Sequence, residues 1–218
     1  VTGAKLNTDV ISAQTALATA PADTDEFMVS DAGVLKRIDY SLIKGGGQWE
    51  FISSTTISSD ATVDFTTLST DYEDFLFTLQ NVHQEEDGYR IYGRVFTGTG
   101  GSQAVVTGSN YGYAEIMRND GTVTDNADAT DFMRVSHQVG NGSEQSVSSE
   151  IILYNPHSTT FHKLIKAHAV LINSSGLVTI DNWAGSYKAT TAVTGVRFYM
   201  QSGNIESGRI TLYGRKNS

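Results

Sequence analysis

The 218-residue chain has no cysteine and only 2 prolines. Without cysteine there are no disulfides, no zinc–thiolate centres and no thiol nucleophile. Charge is sparse too: charged residues are 18% of the chain, against about 25% in an ordinary globular protein. The balance of 15 Lys+Arg against 24 Asp+Glu leaves a net charge of -9. A phosphate backbone is held by clustered basic residues, so no nucleic-acid partner is expected. The longest apolar run, Ala169-Val170-Leu171-Ile172, is far short of the ~20 residues that span a bilayer. No Lys-led apolar leader opens the chain, and membrane insertion is not expected. The first residue is Val1 rather than Met, which fits either a removed initiator or a preceding region. No repeat marks a solenoid or propeller.

What is abundant is small and polar. Ser and Thr together number 47, with 21 Gly, a mixture that favours turns and pleated strands over helices. Alternation is clear in several segments. Tyr89, Ile91 and Val95 alternate with Arg90, Tyr92 and Arg94; Val196, Phe198 and Met200 with Arg197, Tyr199 and Gln201; Ile210 and Leu212 with Arg209, Thr211 and Tyr213. Period two sends one set to a core and the other outward. Asp74–Leu79 reads as a further strand. Ile151–Tyr154 and Ala167–Ile172 are more continuously apolar, which predicts central strands covered on both faces. Turn signals separate these runs: Glu85–Gly88, Asn119-Asp120-Gly121, Asn141-Gly142, Ser174-Ser175-Gly176 and Ser202-Gly203-Asn204. The expected class is all-β, an antiparallel β-sandwich or jelly roll.

Gly45-Gly46-Gly47 forms a flexible joint and divides the chain into residues 1–44, a linker at 45–47, and a distal sandwich at 48–218. The first piece is too short to hold itself together without disulfides, a metal or neighbouring chains. Leu6, Val10, Ala13, Leu17 and Ala20 have heptad spacing, over fewer repeats than a coiled coil needs; an extended linker is the competing reading. Glu26–Ser30 and Val34–Tyr40, joined at Asp31-Ala32-Gly33, read as a β-hairpin. A lone hairpin is marginal in water. The first piece is therefore expected to be an oligomerising segment, with Phe27, Val29, Leu35 and Ile38 shared between copies.

Candidate chemistry is thin. The histidines, His83, His137, His157, His162 and His168, show no close metal-ligand spacing. No Gly-x-Ser-x-Gly elbow or phosphate-binding Gly-rich loop occurs, so neither an enzyme nor a cofactor is expected. Asp120–Asp131 is the densest acidic segment, but it lacks the spacing of a calcium loop and reads as a solvated loop. Asp181-Asn182-Trp183, with Tyr187, combines aromatic faces with amide and carboxylate groups. That combination suits a glycan-binding patch, to which Tyr111 and Tyr113 would add; the competing role for Trp183 is core packing.

Three stretches carry a resemblance. Residues 20–40, from Ala20-Pro21-Ala22-Asp23 through the Asp31-Ala32-Gly33 turn to Ile38-Asp39-Tyr40, resemble a short module of tail-fibre-like structural proteins of tailed bacteriophages. Trp49-Glu50-Phe51-Ile52-Ser53-Ser54-Thr55 resembles the start of their β-sandwich, and Gly208-Arg209-Ile210-Thr211-Leu212-Tyr213-Gly214 resembles its last strand. The resemblance implies a virion protein, a homotrimer with other virion proteins as partners, whose sandwich meets a host-surface glycan. A capsid-decorating protein or head fibre is the alternative placement, and a glycan depolymerase a third.

Overall fold

A computed structural model describes residues 15, 17–19, 21–22, 24–43, 49–118 and 122–216, without the side chains of 117–118 and 122–128. The glycine joint at 45–47, the turn at 119–121, and Leu6, Val10, Ala13 and Ala20 lie outside the described residues. Leu17 is described and belongs to neither helix nor strand. The chain divides into two units, Val1–Gly47 and Gln48–Ser218.

In the first unit β1 (Glu26–Asp31) pairs antiparallel with β2 (Val34–Asp39). The link is a two-residue turn in which Ala32 and Gly33 both have positive φ, 49° and 83°, the geometry that matches strand twist. One turn of helix, α1 (Tyr40–Ile43), follows. The register pairs Phe27 with Ile38 and Val29 with Lys36, but Ser30 with Leu35. Cross-strand partners share a face. Phe27, Val29 and Ile38 therefore share one side of the ribbon, while Leu35 is on the other with Met28. The four expected interface residues do not form one patch, because Leu35 is an odd number of positions out of phase. Phe27, Val29 and Leu35 are exposed on the single chain.

The second unit is a sandwich of two antiparallel sheets. Its strands are β3 (Glu50–Asp60), β4 (Thr62–Phe65), β5 (Asp74–Gln84), β6 (Ile91–Thr97), β7 (Ala104–Val105), β8 (Tyr111–Arg118), β9 (Thr122–Thr130), β10 (Met133–Arg134), β11 (Val147–Tyr154), β12 (Lys163–Ile172), β13 (Val178–Tyr187), β14 (Val193–Met200) and β15 (Ile205–Arg215). The larger sheet has the order β3-β15-β5-β11-β12-β13-β8-β9; the smaller runs β10-β6-β14-β4, with β7 on β6. The alternating residues behave as the period requires: Ile91, Val95, Val196, Phe198, Met200, Ile210 and Leu212 are all buried. Phe77 of the larger sheet meets Phe65 and Phe198 of the smaller edge-on, with ring centroids 5.4 and 5.3 Å away. Such pairs add about 0.5–1.5 kcal/mol each beyond their buried area.

Two expectations need correction. β11 and β12 are central, as their apolar runs suggest, but only one face of each is covered; Leu164 and Val170 point outward and are exposed. The acidic segment is not a loop either: Thr122–Thr130 is strand β9, paired with β8. Within it, Asp125, Asn126 and Asp128 have side chains outside the described set. Asp131 is committed to Arg94, which donates from Nε to its backbone oxygen at 2.8 Å and from Nη2 to its carboxylate at 2.5 Å.

Candidate functional site

The proposed glycan patch does not come together. Along β13, alternation turns Asp181, Trp183 and Tyr187 into the core and leaves Asn182 outside. Trp183 donates its Nε1–H to the Val135 carbonyl at 3.1 Å. Tyr187 packs on buried Tyr111, ring centroids 5.6 Å apart. The residues are the right chemistry for a sugar, but two-residue periodicity puts them on opposite faces. Among the described residues, no three His, Asp or Glu side chains converge to hold a metal.

The inward half of that segment builds a buried charge cluster. Asp181 has no exposed surface and Glu115, on β8, is 3% exposed. Arg134 of β10 ion-pairs with Glu115, its guanidinium 4.6 Å from the centre of the Tyr113 ring. Among the described residues, neither Asp181 oxygen has a hydrogen bond of full geometry. Burial first, then the neighbouring Glu115 charge, push the Asp181 carboxyl up to about 7, against opposing pulls from the His137 backbone and Arg134. Two carboxyls with one guanidinium favour a bound proton at neutral pH.

The outward half contributes to an open groove of about 480 Å³ on the outer face of the larger sheet, crossing β15, β5, β11 and β12. A bulge lies among its lining residues. On β5, Gln80 and Asn81 together oppose Ser148 of β11, and the register with β15 breaks at the same place, beside Gly208. Asn81 has φ 48°, and its N–H donates to Ser148 Oγ at 3.1 Å. A bulge of this kind bends and twists the strand locally. Gly208 has φ 121°, and a Cβ there would come within 2.7 Å of Val82 Cα, so the bulged strand can approach only a glycine.

Polar side chains line the groove: Gln80, Ser148, Glu150, His168 and Arg209, together with Thr78, Thr211 and Tyr213. Glu150 and Arg209 have no ion-pair partner among the described residues. His168 donates from Nδ1 to Asn182 Oδ1, a bond that holds the imidazole in place. Asn182 thus serves this site through His168. The sequence signal for the groove was present in Arg209, Thr211 and Tyr213, the outward set of the last strand; their convergence with Glu150 and His168 required the sheet order.

Comparison with known protein families, curated proteins and solved structures finds no match.

Proposed function

We propose that this chain is a structural component of a phage virion, of tail-fibre type, which assembles through its first unit and presents its sandwich to a glycan on the host surface. The observation that carries the glycan reading is the groove. Its carboxylate and guanidinium, which have no ion-pair partner among the described residues, and its amide, imidazole and hydroxyls suit a polyhydroxylated ligand. The Tyr213 ring offers an apolar face for the CH side of a pyranose. A shallow site of this kind binds weakly, and several copies on one particle multiply the effect by avidity. The first unit supports the assembly reading: its hairpin leaves apolar side chains exposed on both sides, and such a ribbon gains stability by packing against neighbours.

The test has two arms. Full-length protein on an array of bacterial surface glycans is expected to select a defined saccharide, with retention lost in Arg209→Ala. Gold-labelled antibody on intact virions is expected at the tail; gold on the capsid would replace the tail-fibre placement with a head-fibre one. An array without any saccharide retained would overturn the glycan reading.

A further inference from the structure

Around the groove, side-chain chemistry is constant across the strands and changes along them. Residues paired in register share a face. One row runs Thr211, Thr78, Glu150, His168 and Asn182, over β15, β5, β11, β12 and β13. Ser54 of β3 continues it, its hydroxyl 3.1 Å from that of Thr211. Every member of this row is polar. Two positions further along β15, β5 and β11 lies a second row, Tyr213, Leu76 and Ile152, joined on β3 by Phe51. Every member of that row is aromatic or aliphatic. Phe51 meets Tyr213 edge-on, ring centroids 6.1 Å apart, and Lys166 of β12 ends the row. Each of β15, β5 and β11 thus passes from a polar to an apolar side chain in one outward step, while each row keeps its character from strand to strand.

We infer that the groove holds a linear glycan laid across the strands, its hydroxyls along the row from Ser54 to Asn182 and its CH groups toward Phe51, Tyr213, Leu76 and Ile152. The inference rests on the glycan reading of the groove and adds the shape and direction of the ligand. A sugar presents hydroxyls at its edge and CH groups on its faces, and these take polar and apolar partners respectively. A ligand with one long polar side and one long apolar side matches this surface only when it follows the rows. Adjacent strands lie about 4.8 Å apart, close to the length of one pyranose, so the polar row from β3 to β13 is about 24 Å long and accommodates about four sugar residues. A single terminal sugar would reach one or two strands. The other long ligand to weigh is an extended peptide, which joins a sheet by pairing its backbone with an open strand edge. β15, β5, β11, β12 and β13 each have a neighbouring strand on both sides, so this face gives a peptide no backbone partner, whereas a glycan needs only side chains.

Length and direction are tested together. The probes are linear β-1,4-linked oligomers of glucose and of N-acetylglucosamine, two, four and six residues long, printed beside the bacterial surface glycans of the array. Full-length protein is expected to bind the hexamer of at least one series at least thirtyfold more tightly than its dimer. Phe51→Ala on β3 and His168→Ala on β12 change exposed residues four strand positions apart. Each is expected to weaken binding of that hexamer at least fivefold, while Gln201→Ala, just past β14, leaves it unchanged; melting curves confirm that all three variants fold. Equal binding of dimer and hexamer, no binding of any linear oligomer, or a hexamer affinity that depends on fewer than both of Phe51 and His168 would overturn the inference. In those cases other saccharides retained on the array keep the glycan reading, and an array with nothing retained removes both.

Discussion

Asp181 and Glu115 turn their carboxyls into the same closed part of the core, from neighbouring strands, with the Arg134 guanidinium as the nearby cation. Burial of the pair makes Asp181 hold its proton up to about 7, well above the ordinary carboxylate range. The folded chain therefore binds a proton that the unfolded chain releases. Where the folded state binds more protons, stability falls as pH rises. This contribution is fully present below pH ~4 and is lost progressively up to about 7. Asp181→Asn, which keeps the shape and cannot ionise, is expected to melt close to the parent at pH 4, where the native carboxyl is protonated in the folded chain and partly protonated in the unfolded one. At pH 8 it should melt higher, by roughly 5–10 °C, corresponding to a few kcal/mol. Thermal melts of both proteins from pH 4 to 9 check this, and parallel curves across that range would contradict it.

The groove and the buried tryptophan separate cleanly in mutants. Arg209→Ala and Glu150→Gln remove exposed groups with no intramolecular partner among the described residues. They should leave the melting temperature almost unchanged, as surface changes do, within about 0.5 kcal/mol, while lowering saccharide retention at least tenfold. Trp183→Phe does the reverse. It deletes the hydrogen bond to Val135 and leaves a buried acceptor unsatisfied at a cost of about 1–3 kcal/mol, with saccharide binding per folded molecule retained. Array binding paired with calorimetry reads both.

Gly208 is a shape-determining position. Alanine there places a Cβ against Val82 and Asn81 backbone atoms at a φ that L-residues rarely adopt. Strain of about 1–3 kcal/mol follows, which lowers the melting temperature by several degrees and relaxes the bulge. Gly208→Ala is expected to weaken groove binding without touching a groove side chain. Denaturant unfolding and the glycan array measure the two effects separately.

Lys163 is a buried cation with no carboxylate partner among the described residues. It has no exposed surface, and its ammonium donates to the carbonyls of Ser158, Phe161 and Ala189 at 2.5, 3.1 and 3.3 Å. Burial lowers its pKa. This clip joins the loop before β12 to the segment after β13. Lys163→Met leaves three carbonyls without their donor and should cost about 2–4 kcal/mol, each orphaned acceptor carrying part of the desolvation penalty. Faster amide exchange at 156–162 and 188–191, with the remaining strands protected, is the expected signature.

Much of the architecture is local in origin and so was readable in the residues. Alternation along Ile91–Phe96, Val196–Met200 and Ile210–Tyr213 determined both strand character and the inward set, because side-chain direction in a strand depends only on position parity. Parity also held the lesson missed at Asp181-Asn182-Trp183: consecutive residues in a strand cannot share a face. The same arithmetic separates Leu35 from Phe27, Val29 and Ile38, but it needs the hairpin register, which the turn decides. Other features belong to tertiary structure alone. Which strands lie side by side, the bulge of β5 beside Gly208, and the meeting of Glu150, His168 and Arg209 across strands distant in sequence all depend on long-range pairing. Chain order does not encode strand order directly, because β15 pairs with both β3 and β5. Composition and periodicity determined an all-β chain with these cores; backbone pairing between remote segments decided where its exposed chemistry gathers.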